Sequence, residues 1–106
     1  APSTIKAVVD VASATESNVY SEINYMISGE ITEVQNDKYG NVVIKDAEGN
    51  SILLYGLYDQ IGTRYDGMAT KPAVGDTITV FGVAGNYKGT AQIKNATLIA
   101  YTAAAK

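Results

Sequence analysis

At 106 residues the chain has room for a single domain around one core. Hydrophobic residues make up 46% of it and charged residues 18%, so it is globular rather than disordered, and a net charge of −3 works against nucleic-acid binding, which draws on a basic excess. Cysteine and histidine are both absent, which excludes disulfides, thiolate chemistry and the commonest general base and zinc ligand. No apolar run approaches the roughly 18–20 residues of a membrane span, so no membrane insertion by this segment is expected.

Residues 3–16 are predicted to form a short amphipathic helix. Ser3 or Thr4 suits its N-cap, Pro2 sits just before its start, and Ile5, Val8, Val9 and Ala12 fall at i, i+3, i+4 and i+7. The β-branched valines leave a strand as the competing reading. As a helix the segment would plug one end of the core. Val19 and Tyr20 anchor the polar passage that follows.

The first strand is expected from about Asn24 to Gln35, where Ile27, Gly29 and Ile31 alternate with polar residues. Gly29 in mid-strand marks a bend, and Val34 keeps phase only across a register break. A hairpin loop over 36–41 leads to a second strand, Val42–Asp46, with Val42 and Ile44 inward and Val43 and Lys45 outward. A tight turn at 47–50 leads to a third, Ser51–Leu57, with Ile52 and Leu54 inward and Leu53 and Tyr55 outward. Residues 58–75 form a long connection with a helical turn near Asp59–Arg64. A fourth strand over Asp76–Gly82 buries Ile78 and Val80. A turn at Gly85–Gly89 precedes a fifth strand, Thr90–Tyr101, carrying Ile93, Ala96 and Leu98, and 102–106 read as a flexible tail. The domain is thus one unit over 1–106, with its barrel over 24–101.

A coiled meander of three strands, a longer connection and a closing hairpin follow the OB-fold pattern. Gly29-Glu30-Ile31-Thr32, Tyr39-Gly40-Asn41, Ile44 through Gly49, Tyr55-Gly56-Leu57, Val74-Gly75-Asp76 and Gln92-Ile93 form a motif string over roughly residues 19–100. The string resembles OB-fold modules of exported and lipoprotein-type proteins of Bacteroidetes bacteria. The resemblance implies an all-β, five-stranded OB-fold (a Greek-key barrel) with a short N-terminal helix. It also implies an exported location, periplasmic or cell surface, and a non-enzymatic accessory role.

Candidate ligand-binding residues follow from the outward positions of strands two and three (Val43, Lys45, Leu53 and Tyr55), from the rim residues Tyr39 and Tyr58, and from Arg64 and Tyr65 in the long connection. Tyrosines flanked by polar groups suit a glycan, a peptide or a neighbouring protein domain, with the same tyrosines simply lidding the core as the plainer reading. Single-stranded nucleic acid, stacked on Tyr55 with Lys45 and the loop cations tracking its backbone, is the alternative, and the net charge disfavours it. Asp46–Asn50 only faintly echoes a calcium loop, lacking its ligand spacing and terminal Glu, so no metal and no cofactor are expected. No serine stands in a nucleophile-elbow context, and Glu30 and Glu33 are strand-face residues, so no enzymatic activity is expected.

Overall fold

The helix α1, Ile5–Ser13, begins where Thr4 accepts the Ala7 N–H at 3.1 Å, a side-chain N-cap. Ile5, Val8 and Ala12 form its buried stripe. A distant residue ties down its C-terminal end: Asn86 Nδ2 donates to Ala12 O at 2.7 Å and, just past the helix, to Thr15 O at 2.9 Å. The computed structural model describes residues 3–104. Pro2 and the last two residues of the expected tail lie outside that range.

Five strands follow: β1 Tyr20–Asn36, β2 Asn41–Lys45, β3 Ser51–Tyr58, β4 Thr77–Tyr87 and β5 Thr90–Thr102. β1 is long because it serves two partners. Tyr20–Glu30 pair with β4, and Glu30–Asn36 pair with β2. Gly29 lies next to the change of partner, where β2 comes so close that a Cβ would meet Lys45 O at 3.0 Å and Ile44 Cβ at 3.1 Å. A register shift between Ile31 and Glu33 leaves Thr32 and Glu33 both exposed before Val34 turns inward again. The β4–β5 hairpin turns on Lys88 and Gly89, both at positive φ, tighter and later than the loop expected from Gly85.

The pairing order is β1-β2-β3-β5-β4, and β4 returns to β1, so the strands close a barrel. All ladders are antiparallel except β3–β5, which is parallel and makes the sheet mixed. Inside lie Ile27, Ile31, Val42, Ile44, Ile52, Leu54, Leu57, Ile78, Val80 and Ile93, with the α1 stripe packed against them. Leu98 is only partly buried.

The OB-fold assignment is corrected to a coarser statement: an all-β core of five strands in a mixed sheet, with one N-terminal helix. The name rested on the order of elements and on the motif string, and the glycines and the aspartate turn in that string have local causes. Gly40, Gly49 and Gly56 hold positive φ, and Asp46 Oδ1 accepts the Glu48 and Asn50 N–H groups of its own turn. Such devices recur in unrelated chains and do not define a family.

The connection 59–76 also differs from expectation. Asp59 Oδ1 accepts the N–H of Ile61 at 3.0 Å and of Thr63 at 2.8 Å, so an aspartate turn replaces the expected helical one. The helical turn of the connection comes later, as a 3-10 turn at Tyr65–Gly67. Asp76, 7% exposed, ends the connection and also holds the chain terminus: it accepts the N–H groups of Ala73 and Ala104, each at 2.8 Å, and the Tyr101 hydroxyl at 3.1 Å. The chain is therefore held through residue 104, beyond the strand end expected at Tyr101.

Candidate functional site

Parallel pairing of β3 with β5 sets Tyr55 opposite Lys94 and Leu57 opposite Ala96. Between these pairs, Gly56 (φ 94) faces Asn95 (φ 52), and a Cβ on Gly56 would stand 3.3 Å from Asn95 Oδ1. Left-handed backbone at a non-glycine residue is uncommon, and here it coincides with a register shift between Phe81 and Val83 on the β4 side of β5. At Gly56 the strand presents no side chain, and this opens a hollow. Tyr39, Tyr55 and Tyr58 surround it, with Asn41 and Asn95, as a cavity of ≈ 220 Å³.

Tyr55 also belongs to a second hollow of ≈ 350 Å³, with Tyr20, Tyr87, Gln92, Lys94 and Asn18. The Tyr20 hydroxyl donates to Gln92 Oε1 at 3.1 Å, and Lys94 Nζ lies 5.0 Å from the Tyr20 ring centroid. Burial, and to a lesser degree the nearby Tyr55, raise the Tyr20 pKa above the ordinary tyrosine value, so this hydroxyl stays protonated and able to donate. The two hollows share Tyr55 as a wall and lie side by side on β3 and β5, and five of the eight tyrosines line one or the other; together they are the tyrosine groove. Among the described residues no carboxylate lines either hollow.

Lys94 apart, the cations stand beside the rings and do not line the hollows. Lys38 Nζ and Arg64 Cζ lie 5.5 and 5.2 Å from the Tyr39 centroid, and Lys88 Nζ lies 5.3 Å from that of Tyr87. Arg64 is further committed to Asp66 through a two-pronged pair at 2.8 and 2.9 Å. Its guanidinium holds the Asp66 carboxyl below the usual carboxylate range. One groove atom has no partner among the described residues: Asn41 Oδ1 is shielded from solvent and makes no hydrogen bond.

Of the residues expected at a site, Tyr39, Tyr55, Tyr58 and Arg64 come together here. Val43 and Leu53, paired across β2 and β3, line a neighbouring shallow cleft that continues to Gln92 and Tyr87. Lys45 does not join them. It pairs with Ser51 at the other end of β2, about 13 Å from Asn41 at ~3.3 Å per residue. There it lines a separate cleft of ≈ 540 Å³ with Glu30 and Asp46, a larger hollow without an aromatic wall. Tyr65 is a core residue, 3% exposed, its hydroxyl donating to Pro72 O. Burial raises its pKa, with Asp37 and Asp76 adding to the effect.

Sequence reading held Asn41 only as part of the Tyr39-Gly40-Asn41 hairpin motif, not as a site residue, and did not place Asn95, Gln92 and Lys94 beside Tyr55. Asparagines and tyrosines adjacent in the loops were visible, but only the parallel register joins them. Among the described residues no group of three acidic, histidine or cysteine side chains is placed to hold a metal. Among the same residues no helix is long and apolar enough to cross a membrane.

No protein-family model matches the chain, and no curated protein matches it in sequence. The resemblance to OB-fold modules of Bacteroidetes is therefore withdrawn as an assignment, and the exported, lipoprotein-type placement loses its support with it. The role drawn from that resemblance, an OB-fold accessory module, falls too. So does its nucleic-acid alternative, whose stacking residue Tyr55 and platform cation Lys45 stand at opposite ends of the β2–β3 ladder.

Proposed function

We propose that the tyrosine groove recognises an uncharged, hydroxyl-bearing ring ligand, which in chemical terms is a carbohydrate. The observation that carries this is the groove wall itself. Tyr20, Tyr39, Tyr55, Tyr58 and Tyr87 offer ring faces, while Asn41, Gln92, Asn95 and Lys94 offer polar atoms between them, and no described carboxylate intervenes. A flat sugar face packs its C–H groups against a tyrosine ring, and amide side chains both donate to and accept from hydroxyls. Tyr55 and Tyr39 are 48% and 44% exposed, so ring surface is free for stacking without unfolding any part of the sheet. Recognition without turnover is the reading we adopt, since no described carboxylate lines the wall to act as an acid–base pair on a glycosidic bond.

Affinity electrophoresis through gels holding a soluble glucan, mannan, xylan or galactan tests the reading. At least one polysaccharide is expected to retard the protein, equally at low and high salt because the contacts are uncharged. Tyr55→Ala is expected to abolish the retardation while folding normally, since exposed positions usually cost within about 0.5 kcal/mol. Unretarded migration in all four, or retardation indifferent to Tyr55→Ala, would refute the proposal.

A further inference from the structure

The unpartnered Asn41 oxygen reaches further than the groove as a whole. Asn41 stands at the start of β2, one step beyond the Val42–Leu54 pair, and so beside Tyr55. Its neighbours in the small hollow are Tyr39, Tyr58, Gly56 and Asn95. Buried polar atoms in folded proteins are hydrogen-bonded with few exceptions, because leaving one unpaired forfeits its interaction with water. Among the described residues Asn41 Oδ1 is the one buried side-chain polar atom without a partner. It coincides with a second exception, the left-handed Asn95 facing Gly56. Backbone of that kind persists where the surrounding structure holds it, and it clusters at ligand sites.

We propose that Asn41 is the selectivity-determining residue of the groove, its Oδ1 accepting a hydrogen bond from a ligand hydroxyl seated over Gly56 between Tyr39, Tyr55 and Tyr58. The inference rests on the carbohydrate reading and sharpens it. The stacking rings are indifferent to which hydroxyl points where, whereas a lone acceptor in a cavity of ≈ 220 Å³ demands a donor at one position. Because the oxygen is shielded from solvent, such a bond requires the half-exposed Tyr39 and Tyr55 rings to turn aside as the ligand enters. A ligand lacking a donor there leaves Asn41 unpaired and gains nothing from the pocket.

The test combines affinity and thermal stability for Asn41→Leu and Asn41→Asp, with cellohexaose, mannohexaose, xylohexaose and galactohexaose as probes in calorimetric titrations. For whichever probe the unmodified protein binds, Asn41→Leu is expected to lose roughly tenfold or more in affinity. Asn41→Asp, which keeps an acceptor of the same shape, is expected to stay within about threefold of the parent. Without ligand, Asn41→Leu is expected to melt higher by about 4 °C or more, since it removes an unsatisfied polar atom. Equal losses in both variants would reduce Asn41 to a shape element and overturn the proposal, as would a lower melting temperature for Asn41→Leu. If the parent binds none of the four sugars, the carbohydrate reading itself fails and this proposal with it. A parent that binds while Asn41→Leu binds equally well sinks only the role of Asn41.

Discussion

Gly40 ties the groove to the core, and its substitution by alanine is the most informative perturbation of the fold. The residue holds φ 79 in the β1–β2 hairpin, and a Cβ there would stand 2.7 Å from Tyr65 Cβ and 2.8 Å from Leu57 Cβ. Both neighbours are buried, at 3% and 0% exposure, and neither can swing away as a flexible side-chain tip would. The backbone alone costs roughly 1–2 kcal/mol for a residue with a Cβ in the left-handed region. Forcing a methyl against packed side chains adds about 1–3 kcal/mol. Gly49 provides the control, since it has φ 89 in the β2–β3 turn but nothing within 4 Å of the point a Cβ would occupy. Gly49→Ala should therefore cost only the backbone share. Urea titrations followed by circular dichroism and tyrosine fluorescence are expected to place Gly40→Ala about 2–5 kcal/mol below the parent. The difference from Gly49→Ala isolates the packing, at about 1–3 kcal/mol. Equal destabilisation by the two substitutions would refute the close packing of the hairpin on Tyr65 and Leu57.

Two further outcomes follow from buried polar residues. Asn86→Ala removes the side-chain donor of the Thr15 carbonyl and leaves Ala12 O to Thr15 alone, and should cost about 1–3 kcal/mol, with hydrogen exchange accelerating first in the last turn of α1. Asp76→Asn tests the clamp on the terminus through pH. The Ala73 N–H, then the Ala104 N–H, and then the Tyr101 hydroxyl hold the Asp76 carboxyl below its ordinary value of 3.8. A folded-state pKa below the unfolded one contributes stability that is complete above about pH 5 and is lost as pH falls through the folded value. The stability gap between parent and Asp76→Asn should stay constant from pH 7 to about 5 and narrow below about 4. A gap independent of pH down to about 2 would remove the carboxylate from the account.

Alternation of apolar and polar residues made the inward face of every strand legible, and Ile27, Ile31, Val42, Ile44, Ile52, Leu54, Ile78, Val80 and Ile93 are all in the core. The beginning of β1 was not legible, because Tyr20 through Ile23 carry no alternation; the strand starts four residues earlier than expected, where Tyr20 pairs with Gly85 of β4 across a register shift. The long connection was misread at Tyr65 for a related reason. A tyrosine amid arginine, aspartate and glycine looks like a surface residue, and only the close approach of Gly40 and the Pro72 carbonyl makes it a core residue. The groove was half legible. Its exposed tyrosines were visible as outward and rim positions, but Lys94, Gln92 and Asn95 reach them through a parallel ladder between segments about forty residues apart, for which local pattern carries no signal. Lys45 was joined to Tyr55 because both face outward, and the antiparallel register of β2 and β3 separates them.

The most direct test of the groove is backbone-amide NMR of the whole chain titrated with the hexasaccharides. Shifts are expected to concentrate at Asn41, Tyr55, Gly56, Lys94 and Asn95 and to persist at high salt. Ser28, Lys45 and Asp46, which line the larger, separate cleft at the other end of β2, should stay silent. Shifts confined to that larger cleft, or a spectrum that no sugar perturbs at millimolar concentration, would contradict the assignment of carbohydrate recognition to the tyrosine groove.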